Sequence, residues 1–238
     1  MATGFDRVYE VTPYFRAEEH DTVWHMNEIT AFDLEMSFIQ SEEDVMKMLE
    51  GAVLTVLKTV RDECKEELKL LNAKVDVPKE VPRVTYDEAL EILKKEKIKI
   101  EWGEDLTTEA EKKLGEVMLK KGVELFFITK YPLKIKPFYA MPDPKNDKLS
   151  NSFDLEYRSR EISSGGQRIH DISLLKERIK AKNLKPEDFK GYLDAFRFGM
   201  PPHGGFGLGV ERLLMQMLGL QNIRETILFP RDRKRLTP

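Results

Sequence analysis

Apolar positions along the chain follow two periods. Over residues 29–39 they alternate, with Phe32, Leu34, Met36 and Phe38 in one set and Ala31, Asp33, Glu35 and Ser37 in the other. A period of two puts these sets on opposite faces of a strand, one facing a core and the other carrying two carboxylates. Residues 5–17, rich in aromatic and β-branched side chains, are a second strand. The period then changes. Val45, Met48, Leu49, Ala52, Val53, Val56, Leu57 and Val60 follow helical spacing, with Ser41 as cap and Asp44 three residues on. This helix fades into the charged stretch 61–69.

Residues 74–83 contain Pro78 and Pro82 and form a connector. Capping boxes at Thr85/Glu88 and Thr108/Glu111 start two short helices. The charged segment 74–122, with its helices over 85–122, is expected to form a small lobe inserted on the main sheet. Residues 125–131 and 137–141 are expected strands, and 142–150 a polar loop. Residues 151–162 are expected to form one strand that Ser163-Ser164-Gly165-Gly166 ends. Helices follow over 171–183 and over 186–198, the latter starting at Pro186 and stopping at Gly199. A glycine-rich strand or turn at 204–209 leads into a helix at Val210–Leu218. Strands and helices come in runs without strict βαβ alternation. The expected class is therefore α+β, with a mainly antiparallel sheet flanked by helices.

Composition narrows the function classes. Lys+Arg is 39 against Asp+Glu 42, a net charge of −3, with 34% charged and 41% hydrophobic residues. That describes a folded, soluble chain and argues against wholesale coating of DNA. One cysteine, Cys64, excludes an internal disulfide framework and any Cys-x-x-Cys metal knuckle. The longest uncharged apolar stretch, 51–57, is too short to span a bilayer, and the first residues carry no signal pattern. A cytoplasmic protein with no membrane or DNA partner is the expectation.

Three segments carry candidate chemistry. Arg16, followed by Glu18, Glu19 and His20, stands at the end of a strand and can clamp an anion bidentately, or belong to a surface salt-bridge cluster. Asp154 and Glu161, acidic side chains near hydroxyls, suit Mg²⁺, which prefers hard oxygen ligands completed by phosphate. Asp154 and Glu161 are seven residues apart, so a regular strand puts them on opposite faces. A shared metal needs a bulge or tight turn near 158–160. Gly204-Gly205-Phe206-Gly207-Leu208-Gly209 matches neither a dinucleotide fingerprint nor a Walker A loop, yet its glycines allow a nucleotide close to the backbone. They can equally be a packing device. His20, His25, His170 and His203 have no zinc-ligand spacing.

Taken together, these segments resemble the class II aminoacyl-tRNA synthetases. Phe15-Arg16-x-Glu18 resembles motif 2, and Gly205-Phe206-Gly207-Leu208-Gly209-x-Glu211-Arg212 resembles motif 3. Phe153-Asp154, Glu161-Ile162-x-Ser164-Gly165-x-Gln167-Arg168 and the ending Phe229-Pro230-Arg231-Asp232 are similar to the aspartyl and asparaginyl branch of archaea and eukaryotes. The resemblance implies adenylate formation from ATP and L-aspartate, then transfer of the aspartyl group to tRNA. It implies that Arg16 holds the α-phosphate and the attacking carboxylate. Glu18 and Gly209 would meet the nucleotide, His25 the γ-phosphate, and Arg212 would lie over adenine. Asp154, Glu161 and Ser164 would hold Mg²⁺ with ATP. Asp33, Ser164, Gly166 and Arg168 would line the aspartate site, Arg168 pairing with the side-chain carboxylate. Related readings are an asparaginyl enzyme, a paralogue making asparagine from aspartate, ATP and ammonia, and a non-catalytic nucleotide-binding remnant.

Three departures stand out. Trp24 replaces a common motif 2 loop arginine, and Ile29 replaces an aromatic that packs on adenine. Residues 1–238 read as a catalytic domain without motif 1, the interface element of homodimeric members, and without an anticodon-binding domain. An exposed strand edge near residues 5–15 is therefore expected.

Overall fold

The computed structural model of the protein describes residues 1–17 and 22–237. Its strands are β1 (Arg7–Phe15), β2 (Glu28–Ser37), β3 (Arg83–Thr85), β4 (Leu125–Thr129), β5 (Pro142–Asp143), β6 (Asn146–Ser150), β7 (Ser152–Tyr157), β8 (Arg160–Arg168) and β9 (His203–Gly209). Seven of them form one sheet in the order β1-β2-β9-β8-β7-β4-β3. Every neighbouring pair in it is antiparallel except β3 and β4. The helices are α1 (Glu42–Glu63), α2 (Lys65–Leu70), α3 (Tyr86–Lys95), α4 (Thr108–Lys120), α5 (Ile172–Ala181), α6 (Lys190–Arg197) and α7 (Val210–Leu218). The expected α+β class holds.

One face of the sheet is core. Val45, Leu49, Val53 and Leu57 of α1 pack against Leu34, Met36, Phe153, Leu155, Phe206 and Leu208. Both bonds of the Ser41/Asp44 capping box are made, which starts α1 where the pattern placed it. The other face is covered by α3 and α4 over β3 and β4 and stays open over β1, β2, β9 and part of β8. On β9 the residues between Phe206 and Leu208 and at its end are glycines, so nothing rises from the sheet at Gly205, Gly207 and Gly209. Gly207 marks the fit: a Cβ there would stand 3.0 Å from Asp33 Oδ1. β1 is the sheet's edge, and Tyr9 and Val11 on it are 70% and 60% exposed.

Several local expectations change. Phe38 does not join the core: β2 ends at Ser37, Phe38 takes φ 60°, and its ring is exposed. Residues 137–141 form a turn with one bridge, Ala140 to Arg168, because Phe138 packs instead against Tyr139, Phe189 and Tyr192. The polar stretch 142–150 is a hairpin, β5–β6, whose turn is held by Asp143 Oδ1 accepting from the amides of Lys145 and Asn146. Residues 186–198 split into a 3₁₀ turn, Pro186–Phe189, and α6. Thr107, one residue earlier than expected, caps α4.

Residues 151–162 are not one strand. They fold back at Arg158, which adopts φ 57°, and Ser163-Ser164-Gly165-Gly166 continues β8 instead of ending it. Within 74–122, α3 and α4 share an apolar cluster with Val84 of β3 and with Phe126 and Ile128 of β4.

Helix α4 docks on the β7–β8 turn through Gly115. A Cβ there would fall 2.6 Å from Ser159 Cα, and closer still to the Arg158 carbonyl oxygen. Alanine is the better helix former by about 1 kcal/mol. The contact is backbone on both sides and cannot give way, so sterics outweigh propensity. Gly115→Ala is expected to destabilise the protein by about 1–3 kcal/mol in denaturant unfolding. A stabilised variant would show that α4 does not dock closely.

Candidate functional site: a polar row across the open face

Strand register lines up one row of side chains. Glu10 of β1 opposes Asp33 of β2, Asp33 opposes Gly207, Gly207 opposes Ser164, and Ser164 opposes Asp154. Directly opposed residues share a face, so the row presents three carboxylates and a hydroxyl with a glycine gap in the middle.

Glu161 joins this face through the two devices its spacing required. The turn at Arg158 reverses the chain, and a register shift at Leu155/Glu156 absorbs one residue. Glu156 then opposes Glu161, and Glu156 lies two residues from Asp154 on the same strand. Asp154, Glu156, Glu161 and Ser164 therefore share one face.

Two adjoining cavities open on the row. The first, about 360 Å³, is lined by Arg16, His25, Asp33, Glu161, Ser164, Gly209 and Arg212, with Met26, Ile29 and Ile223 at an apolar end. The second, about 550 Å³, is lined by Glu35, Lys136, Tyr139 and Arg168. Glu10, Asp33, Ser164 and Gly207 line both. Gly166 lines neither; it lies in the sheet beside Gly205 and Ser152. Asp154 lies next to Ser164 and is buried. Glu18 lies outside the described residues.

Each cation on this face is held. Arg16 N–H donates to Asn27 O at 2.8 Å, and the Asn27 side-chain Nδ2 donates back to Arg16 O at 2.9 Å. The Arg16 guanidinium lies 5.2 Å from the Tyr14 ring centroid and donates to Tyr14 Oη at 3.2 Å. Arg212, in the first turn of α7, donates to the Glu161 carbonyl oxygen at 3.2 Å. Its neighbour Glu211 accepts from Thr30 N–H at 2.9 and 3.0 Å, locking α7 to β2. Arg168 donates through Nη2 and Nε to Glu35 Oε1 at 3.0 and 3.2 Å, with the Tyr139 ring 5.1 Å away.

Burial and crowding shape the charges. Burial and then Glu10 and Glu35 push the Asp33 carboxyl above its ordinary range, against the pull of Arg16 and Arg168. Burial and Asp154 raise Glu161 as well. Such crowded carboxylates favour an arriving cation. Asp154 gives a further sign. Lys136 Nζ donates to its Oδ2 at 2.8 Å, while its buried Oδ1 has no hydrogen-bond partner. An orphaned buried oxygen beside Glu161 fits a divalent cation. Among the described residues no three His, Cys, Asp or Glu side chains converge to hold a metal alone.

Lys136, Glu10 and Tyr14 escaped the sequence reasoning. Strand alternation could have found Glu10 and Tyr14, which share a face with Thr12. Nothing local marks Lys136, which reaches the row from a turn.

Glu111 of α4 belongs to the same charged group, pushed up to about 7 by burial and then by Glu161. Its folded-state value exceeds the ordinary one, so the folded chain keeps a proton that the unfolded chain releases between about pH 4.5 and 7. Stability contributed by this group is therefore lost as pH rises through that window. Glu111→Gln cannot ionise. It should raise stability over the parent chain by about 1–3 kcal/mol at pH 8 and hardly at all at pH 5. Thermal midpoints at the two pH values check the sign, and an equal shift at both would contradict it.

Comparison with known proteins gives this geometry a family. The model for tRNA synthetases class II (D, K and N) matches residues 1–233. The chain belongs to that family. Over its whole length it is 56% identical to the aspartate–tRNA(Asp) ligase of Pyrococcus furiosus and spans 55% of that relative. It is 52% identical to the aspartate–tRNA(Asp/Asn) ligase of Methanopyrus kandleri and spans 54% of it. Among solved structures, aspartyl-tRNA synthetase from Entamoeba histolytica superposes on the whole chain with TM-score 0.93 at 37% identity, the chain spanning 50% of it. Asparaginyl-tRNA synthetase from Pyrococcus horikoshii, complexed with asparaginyl-adenylate, gives 0.92 at 35%, with 55% of it spanned. The chain thus spans about half the length of these class II synthetases. Its mostly antiparallel sheet with helices on its flanks is their fold. No helix among the described residues is long and apolar enough to cross a membrane.

Proposed function

We propose that this chain is the adenylate-forming part of an aspartate–tRNA ligase. ATP occupies the first cavity and L-aspartate the second, and their reacting ends meet at the shared row of Glu10, Asp33 and Ser164. The observation that carries this reading is Arg168, a guanidinium fixed in the cavity that adjoins the one assigned to ATP. A bidentate cation there selects a side-chain carboxylate over a neutral amide.

The reaction needs no protein nucleophile. The α-carboxylate of aspartate attacks the α-phosphorus of ATP, and pyrophosphate departs. Arg16, at the strand end, supplies the fork that spans attacking carboxylate and α-phosphate; positioning and charge neutralisation do the rest. Purine packs at the apolar end of the first cavity, with the planar Arg212 side chain alongside. The crowded carboxylates of Glu10 and Asp33 receive the α-ammonium. Mg²⁺ bound between Asp154, Glu161 and Ser164 would neutralise charge on the phosphate oxygens. Transfer of the aspartyl group to the 3′ end of tRNA would follow. The exposed β1 edge suits burial against further protein, as in a homodimer.

ATP–pyrophosphate exchange tests the reading directly. Exchange should depend on Mg²⁺ and on aspartate, with asparagine at least about 100-fold poorer because the fork would face an amide. Exchange with asparagine alone would assign the asparaginyl activity. Free asparagine formed from aspartate and ammonia would assign the paralogue, and no exchange with either would leave a nucleotide-binding remnant. Charging assays with tRNA(Asp) and tRNA(Asn) then define the acceptor.

A further inference from the structure

Trp24 lines the first cavity immediately before His25, in the connection from β1 to β2. One side of that connection is tied to the C-terminal segment. Ile223 N–H donates to Val23 O at 2.9 Å, Arg224 Nη1 to Thr22 O at 3.0 Å, and Asn27 N–H to Arg231 O at 3.0 Å. Toward β8 the contact is of another kind. The Trp24 ring lies against the Arg160 guanidinium, whose central carbon is 4.1 Å from the ring.

Arg160 is itself confined. Its side chain is only 12% exposed, its Nη1 lies 3.5 Å from Glu111 Oε2, and its Nε is buried without a hydrogen-bond partner. Glu111, Glu156 and Glu161 crowd this corner, and Arg160 offsets the charge of Glu111 and Glu156. A desolvated guanidinium with carboxylates on one side gains from an electron-rich ring on the other. Glu111 reaches it because α4 docks through Gly115, one helical turn further along the same face, on the turn that precedes Arg160.

We propose that Trp24 and Arg160 are a positioning pair. Arg160, steadied by Glu111 of α4, holds the Trp24 ring and thereby fixes the loop wall, with His25, against which a nucleotide binds. The nucleotide part rests on the function proposed above; the loop-fixing part does not.

The test uses the full chain with Trp24→Leu, Arg160→Met, the double variant, and Trp24→Phe, which keeps an aromatic face. Two quantities are read: amide hydrogen exchange over residues 22–27 without ligand, and calorimetric affinities for Mg-ATP and for aspartate. Leu and Met should each speed exchange and weaken Mg-ATP binding by about 5–20-fold, leaving aspartate affinity within about twofold. The double variant should be no worse than the more damaging single one, and Trp24→Phe should recover most of the loss. Unchanged exchange in Arg160→Met, or effects that multiply in the double variant, would overturn the pair. If exchange behaves as expected but the parent chain binds no Mg-ATP, the pair stands and the nucleotide reading falls.

Discussion

Arg168→Leu is expected to remove most of the aspartate affinity while leaving ATP binding nearly unchanged. The guanidinium is one-fifth exposed, pinned by Glu35 and set beside Tyr139, so its position is fixed before substrate arrives. Its loss takes the fork from the substrate carboxylate and leaves Glu35, whose Oε2 is already buried without a partner, uncompensated. Breaking such a charge pair costs about 2–5 kcal/mol, or roughly 30- to several thousand-fold in affinity. Arg168 does not line the first cavity, hence the small effect on ATP. Arg168→Lys keeps the charge but loses the two-pronged geometry, so it should recover only part of the loss. Calorimetric titration separates the two ligands. Aspartate affinity within threefold of the parent in Arg168→Leu would remove Arg168 from the recognition site.

The second large effect is expected at Arg16. Tyr14 Oη accepts from its guanidinium, and Asn27 fixes its backbone through one main-chain and one side-chain hydrogen bond, yet the residue is exposed and contributes little to packing. Arg16→Lys should therefore leave the thermal midpoint unchanged. It should still lower kcat/KM for pyrophosphate exchange by about 10²–10³-fold, the usual loss when a preorganised donor to developing charge is removed. Lysine keeps the charge but cannot bridge two oxygens in one plane. The loss should fall mainly on kcat, because the contact tightens as the carboxylate and phosphorus approach. A fall in thermal midpoint matching the loss in rate would assign Arg16 a structural role instead.

Local rules made part of this protein legible from its residues. Alternation in β2 put Asp33 and Glu35 on one face and Leu34 and Met36 on the other, and the register confirms both sets. Helix α1 begins at its capping box, and α7 follows the glycine-rich strand as the spacing implied. These features depend on neighbours within one turn or one strand, so the pattern carries them. Misreadings arose where distant contacts overrode composition. Residues 137–141 look like a strand, but Phe138 gains more by packing on Phe189 and Tyr192. Gly165 and Gly166 look like a terminator, yet they continue β8. A Cβ on Gly165 would meet the Phe153 ring and the Gly205 carbonyl oxygen at 2.6 Å, so glycine there serves close approach.

Residue types placed Arg16, Asp154 and Glu161 as candidates, because anion clamps and hard oxygen ligands are recognisable chemistry; the family resemblance added Ser164, Arg168 and Arg212. Their assembly on one face belongs to the tertiary structure. Asp154 and Glu161 share a face only because an arginine takes a left-handed conformation at residue 158 and a bulge absorbs one residue, and no glycine or Asn-Gly marks that turn. Lys136 and Glu111 reach the site from a turn and a helix far away in sequence, through packing that no local period encodes. Periodicity can say which side of a strand a residue faces. Which strands lie beside it, and so which charges must balance one another, depends on long-range pairing in the folded chain.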